Sequence, residues 1–222
     1  MPKTSTGLSQ PAYEYLLQLI MNRELLPGDR IPETKIAKDF NISRTPVRDA
    51  MRQLANEGLL DIIPNRYAEV KVYSPEEITA IGTVRIALDT MSVKLATLFG
   101  SRSDFLRLET IAKECAMARE QEDLEHRRQL DTEFHMALAE ISGNSLLIKY
   151  QKEIYLRVQY IMTFRPPNED IMQNSDHQHL DIVRALMDND PVRASNIIID
   201  HLKEYYELQD YFPDNFFING QK

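Results

Sequence analysis

The stretch ISRTPVRDAMRQL, Ile42 to Leu54, sets Arg44, Arg48 and Arg52 four residues apart, behind Ser43 and around Pro46. At that spacing side chains line one face of a helix. Ser43 suits the cap position, and Pro46 fits the first turn, where its missing N–H costs no hydrogen bond. Val47, Met51 and Leu54 fall on another face and mark it as the buried one. The whole chain carries a formal net charge of −8. A ladder of arginines on the outer face of one short helix therefore needs a local reason.

Upstream, Glu33–Phe40 reads as a short helix with Ile36 and Phe40 on one face, and Asn41 supplies the left-handed residue of a tight turn. Before it, Pro27 and Gly28 in LLPGDRIPE break the chain after a helix near Gln10–Asn22, which carries Tyr13, Leu16, Leu17 and Ile20 at helical spacing. Downstream, Gly58 closes the arginine helix, and LLDIIP and YAEVKVY read as two short strands joined at Asn65 and Arg66. Two short helices, a tight turn and a hairpin make a winged helix-turn-helix. Small Ala37 marks the helix crossing, and Ile42 and Val47 fill it.

In this layout Ser43, Arg44, Thr45 and Arg48 crowd the first turns of the helix that enters the major groove. Arginine bonds a guanine edge through two parallel hydrogen bonds, while hydroxyls and a helix N-terminus suit phosphate oxygens. Arg52 extends the same face, and Lys35, Lys38 and Arg66 are placed for backbone contacts from the flanking helix and wing. The plain alternative is a solvated face neutralised by Asp49 and nearby acids. The motif favours double-stranded DNA.

Residues 1–74 hold ten Lys and Arg against nine Asp and Glu; the remainder holds sixteen against twenty-five. Bulk polycation binding is excluded, so any nucleic-acid contact is a local patch. One cysteine, Cys115, permits no intrachain disulfide, and together with a polar N-terminus and no apolar run of about 20 residues it indicates a cytoplasmic chain with no membrane span. From Ser74 the pattern is helix after helix, near 75–99, 103–122, 124–141, 144–165, 171–188 and 191–211. The expected architecture is mainly α, with a DNA-binding domain over 1–74 and an all-helical effector-binding and dimerisation domain over 75–222.

The second domain contains all five histidines. DTEFH puts Asp131 and His135 on one helix face. His179 shares a face with Ile182, Val183 and Leu186, His201 follows Ile197 and Ile198 by one turn, and His177 points to water. One carboxylate and three imidazoles thus converge inside a bundle. Left unpaired there they would cost several kcal/mol. A hydrogen-bonded core satisfies them, and so does a divalent metal.

LLPGDRIPETKIAKDFNISRTPVRDAMRQLANEGLL resembles the N-terminal domain of GntR-family bacterial transcription regulators. VRIALDTMSVKLA, DTEFHMALAEISGN and DHQHLDIVRALMDNDPVRASNIIIDHL resemble the FCD effector domain of the FadR subfamily. The resemblance implies operator contacts from Arg44, Thr45 and Arg48. It implies a metal on Asp131, His135, His179 and His201; Zn, Ni, Mn and Fe all tolerate such ligands, and a divalent transition metal, Zn or Ni first, is expected. Two departures stand out: Tyr67 replaces a common wing glycine, and Asp89 replaces a common Glu, with slight expected effect.

Such regulators commonly sense organic acids, so a small carboxylate effector is expected at the metal. Arg85 is its candidate second clamp, followed by Asn144 and Arg157. Asn144 has an alternative as a helix cap after Gly143. A homodimer would hold two recognition helices roughly 34 Å apart over a two-fold operator. The rivals are a structural metal in a dimerisation bundle and a metal-dependent enzyme. The second lacks a phosphate loop, a nucleophile motif and an evident general base. The aromatic tail containing Tyr205, Tyr206, Tyr211, Phe212, Phe216 and Phe217 packs either on its own bundle or on a partner.

Overall fold

The structure, a computed structural model, describes residues 6–64 and 66–208. Asn65, read above as part of the junction between the two strands, and the tail residues Tyr211, Phe212, Phe216 and Phe217 lie outside them. The chain divides into two compact units that part between Ser74 and Pro75, with the short stretch Thr163–Arg165 grouped with the first.

The first unit holds α1 (Thr6–Met21), α2 (Glu33–Asp39), α3 (Arg44–Asn56), β1 (Leu60–Ile63) and β2 (Tyr67–Val70). Helix α1 starts one turn earlier than its apolar spacing suggested and carries Pro11 inside it. It packs on α3, and Leu16 and Ile20 join Ala50 and Leu54 in a common core. Asn41 adopts φ 50 in the turn between α2 and α3, the left-handed state that Asn tolerates. Ser43 occupies the cap position of α3, although its hydroxyl makes no capping bond. Strands β1 and β2 pair antiparallel, with Leu60 opposite Val70 and Ile63 opposite Tyr67. The segment Gly28–Ile31 covers the other edge of β2 through Gly28 N–H to Val70 O and Ile31 N–H to Ala68 O, both 2.9 Å.

The second unit is helical throughout its described residues: α4 (Pro75–Phe99), α5 (Arg102–Glu120), α6 (Leu124–Ile141), α7 (Ser145–Phe164), α8 (Glu169–Met187) and α9 (Pro191–Tyr205). Their starts follow capping chemistry. Ser101 and Asp104 form a reciprocal capping box, and Asp123, Asn168 and Asp190 each accept an N–H of their helix's first turn. The cap at Asn168 explains why α8 begins two residues before its apolar pattern. Helix α4 packs on α6 and α9, and α5 packs on α6 and α8. Gly82 permits the tightest approach on α4, because a Cβ there would meet the Tyr206 ring at 2.6 Å. That approach brings the Tyr206 hydroxyl to Arg85, one turn further along α4.

Candidate metal centre and nucleic-acid interface

On the first unit, Arg44, Arg48 and Arg52 of α3 stand beside Arg66 and Tyr67 of the wing around an open groove of about 520 Å³. Lys35, Lys38, Ser43 and Thr45 are exposed but lie outside its lining. The arginines are paired, and the partner differs from the one read off the sequence. Glu33, at the start of α2, accepts from Arg44 Nε at 2.6 Å and from Arg48 Nε at 2.9 Å. Only Arg52 pairs with Asp49, at 3.1 Å. Burial alone would push the Glu33 carboxyl up, but Arg44 and Arg48 outweigh it and hold the group below its ordinary range. Tyr67 carries the Arg30 guanidinium over its ring at 3.9 Å. The residue that departs from a small wing glycine thus braces the base of the wing.

Inside the second unit, α6 supplies Asp131 and His135, α8 supplies His179 and α9 supplies His201. All four are buried, and one potential ligand atom from each lies within 4.8 Å of the others. The imidazoles crowd one another, with centroids 4.9 Å apart for His179 and His201 and 5.3 Å for His135 against either. Among the described residues, Asp131 Oδ2 and both ring nitrogens of His135 and of His179 have no hydrogen-bond partner. His201 Nδ1 has one, Gln178 Oε1 at 3.1 Å. Orphaned buried polar atoms are costly, so this donor set fits a cation better than a packed core.

Protonation agrees with that fit. Burial and neighbouring cationic groups hold His179 well below the usual imidazole value, and burial first, then His179 and His135, does the same for His201. Burial would raise the Asp131 carboxyl, but His135, Arg85, Arg127 and His201 prevail and keep it ionised. Neutral imidazole and ionised carboxylate are the forms that ligate a metal.

Around the four lies a charged network that sequence spacing did not reveal. Arg85 is buried. Its Nε donates to Tyr155 Oη at 3.0 Å and to Asp89 Oδ2 at 3.3 Å, its Nη1 to Tyr206 Oη at 3.3 Å, and its Nη2 lies 3.8 Å from Asp131 Oδ2 with no hydrogen bond. Asp89 also accepts from Gln151 and from the Tyr155 hydroxyl, and its Oδ1 lies 3.5 Å from His135 Nδ1. Asp89 thus links Arg85 to a candidate ligand.

Arg127, one turn before Asp131, donates to Asp176 Oδ1 at 2.9 Å, and Arg119 donates to Asp176 Oδ2 at 2.7 Å. A second cluster, Cys115, Asp176 and His179, also has closely spaced ligand atoms. There, however, both Asp176 oxygens already serve guanidiniums, and burial first of all pushes the Cys115 thiol up. Two candidate clamps sit elsewhere. Asn144 is exposed, and its Oδ1 accepts the Leu146 and Leu147 N–H groups, so it caps α7. Arg157 Nη1 donates to Glu153 O on its own helix. Neither lines the cavity beside the four ligands, whereas Arg85 does.

Residues 8–70 match the gntR family of bacterial regulatory proteins, and residues 80–204 match the FCD domain. The chain belongs to the GntR family. It is 30% identical over 205 residues to the HTH-type transcriptional repressor RspR of Escherichia coli (strain K12), covering 90% of this chain and 88% of that one. It is 26% identical over 181 residues to the Nta operon transcriptional regulator of Aminobacter aminovorans, covering 82% and 84%. Among solved structures, a GntR regulator from Rhodococcus sp. RHA1 superposes with TM-score 0.77 at 19% identity, covering 92% of this chain and 98% of that one. E. coli McbR/YncC superposes with TM-score 0.74 at 19% identity, covering 92% and 99%. These two likenesses concern the fold. This GntR-family member is accordingly a DNA-binding transcriptional regulator with an FCD effector-binding domain. No helix among the described residues is long and apolar enough to cross a membrane.

Proposed function

We propose that this regulator adjusts its operator affinity to a small organic acid bound beside a divalent transition metal in its helical domain. Residues 1–74 bind DNA; residues 75–222 bind the effector and pair two copies. Arg44, Thr45 and Arg48 read base edges in a two-fold operator, and Lys35, Ser43, Arg52 and Arg66 hold the phosphate backbone. The relatives named as repressors, RspR among them, make repression the leading sense of the control.

Asp131, His135, His179 and His201 hold the metal, Zn or Ni by ligand type. When bound, it supplies a positive charge that attracts a carboxylate. Arg85, buried and carrying an unbonded Nη2 toward Asp131, orients the acid. The observation that carries this reading is a buried carboxylate and three buried imidazoles whose ligand atoms gather within 4.8 Å, most of them lacking a hydrogen-bond partner among the described residues. The cavity beside them has about 20 Å³ of free space, about enough for one water. An acid therefore enters only if the walls give way, and it binds two arrangements of the bundle unequally. That inequality is what a ligand needs to shift an equilibrium.

The same small cavity favours a second reading, a metal that only staples the bundle. Elemental analysis of the purified protein, followed by calorimetric titration of the metal-loaded form with citrate, lactate and gluconate, separates the two. A stoichiometric metal and a saturable acid that changes operator gel shifts support the sensor. A metal with no acid response supports the staple, and absence of metal after reconstitution overturns both.

A further inference from the structure

Two guanidiniums, Arg85 and Arg127, face the cavity that also exposes Asp131 and His201. Each is 2% exposed, and each keeps one nitrogen without a hydrogen-bond partner, Nη2 of Arg85 and Nε of Arg127. Other nitrogens of each are engaged. Those of Arg85 go to Asp89, Tyr155 and Tyr206, and Nη2 of Arg127 goes to Asp176 and Met172 O. Arg85 and Arg127 are buried against Asp89, Asp131 and Asp176, while Arg119 divides its guanidinium between Asp176 and exposed Glu169. A divalent cation on the four ligands turns this buried region net positive, which a low-dielectric interior does not tolerate without counter-charge.

We infer that the acid is a dianion, a small dicarboxylate whose second anionic group is received by Arg127. This rests on the metal reading above and narrows it. One unpaired donor would suit a monocarboxylate. Two unpaired cationic donors on separate helices, α4 and α6, together with that positive excess, match two carboxylates on one short skeleton. Met162, an unbranched side chain that repacks readily, lies on the cavity wall and gives way to a four-carbon acid.

The test uses the full-length protein with its metal content measured first. Succinate and L-malate are titrated by calorimetry against butyrate and 2-hydroxybutyrate, the same skeletons with one carboxylate replaced by methyl. The dianions are expected to bind about 10- to 100-fold more tightly, the range of a charged hydrogen bond made or lost. Arg127→Gln is expected to bring that ratio toward one while metal content and helical signal are kept. Because the wild-type ratio needs no variant, a misfolded Arg127→Gln leaves the inference open to refutation. A metal-loaded protein that binds both members of a pair equally, or neither, overturns the dianion while leaving the metal standing. An unchanged ratio in folded Arg127→Gln removes Arg127 from the site. A protein that holds no stoichiometric metal overturns both readings.

Discussion

The two units use arginine in opposite ways. On the first, Arg44, Arg48 and Arg52 have more than half of their side-chain surface exposed, and each leans on a single acid. In the second, Arg85 and Arg127 are nearly sealed, and each is gripped by several groups. Exposed pairs are screened and readily exchange one anion for another, whereas a buried pair that loses one member strands the other charge in a place where it has no solvent. The head is therefore built to re-partner with phosphate and base, and the bundle to hold a fixed arrangement. The sharpest way to break this contrast is Asp176→Ala, which removes the carboxylate shared by Arg119 and Arg127. It is expected to lower stability by about 3–5 kcal/mol in urea unfolding. Asp181→Asn, which breaks the exposed pair with Arg184, is expected to change it by less than about 1 kcal/mol. Equal losses would erase the distinction.

Acid is the next lever, and it acts on the bundle. His179 and His201 are held neutral in the fold, well below the usual value near 6.5, chiefly by burial. An unfolded chain binds protons on these imidazoles below that value and the folded one does not, so folding stability falls as pH drops below about 6.5. The slope is at most about 1.4 kcal/mol per pH unit for each imidazole. Chelator-treated protein melted between pH 7.5 and 5 is expected to show this decline. Loaded protein is expected to start higher and to lose its metal over the same window, because protons compete for the ligands. A flat profile in the stripped protein would mean that the imidazoles are already protonated in the fold.

What the sequence disclosed, and what it hid, follows the reach of local periodicity. The turn at Asn41 and the helix starts at Pro75 and Pro191 are local features, and each appears in the structure. Asp131 and His135 were legible because i and i+4 share a face. His179 and His201 were legible because apolar neighbours at helical spacing point them inward. Arg127 stands one turn before Asp131 on that same face, so the same spacing points it inward, although arginine is not a metal-ligand type. Asp176 stands one turn before His179, but spacing within one helix does not set which partners it or Tyr155 meets. Their roles arise only when α8 packs on α5 and when Tyr155 of α7 reaches Asp89 of α4. Asn144 shows the converse, a polar residue near a family motif whose oxygen is spent on capping α7.

On the head, Arg44→Ala and Arg48→Ala are expected to weaken specific operator binding about 10- to 100-fold per lost base contact. Binding to unrelated duplex is expected to fall far less. Fluorescence anisotropy at fixed salt measures both. A uniform loss on all sequences would reassign these arginines from base edges to phosphates.

Glu33 tests the exchange itself. Its single Oε1 accepts from Nε of both Arg44 and Arg48, so its charge competes with DNA for the two guanidiniums. Glu33→Gln removes the negative charge while keeping a side chain of the same length. The gain is bounded by what a screened pair is worth, so operator affinity is expected to rise by no more than about fivefold at low salt. The gain is expected to shrink as salt rises and the Debye length drops below about 10 Å. Helical content and melting temperature are expected to stay close to the parent, because both arginines already reach water. A loss of affinity would show instead that Glu33 holds the two arginines in the orientation the groove needs, and the head would then resemble the bundle more than its exposure suggests.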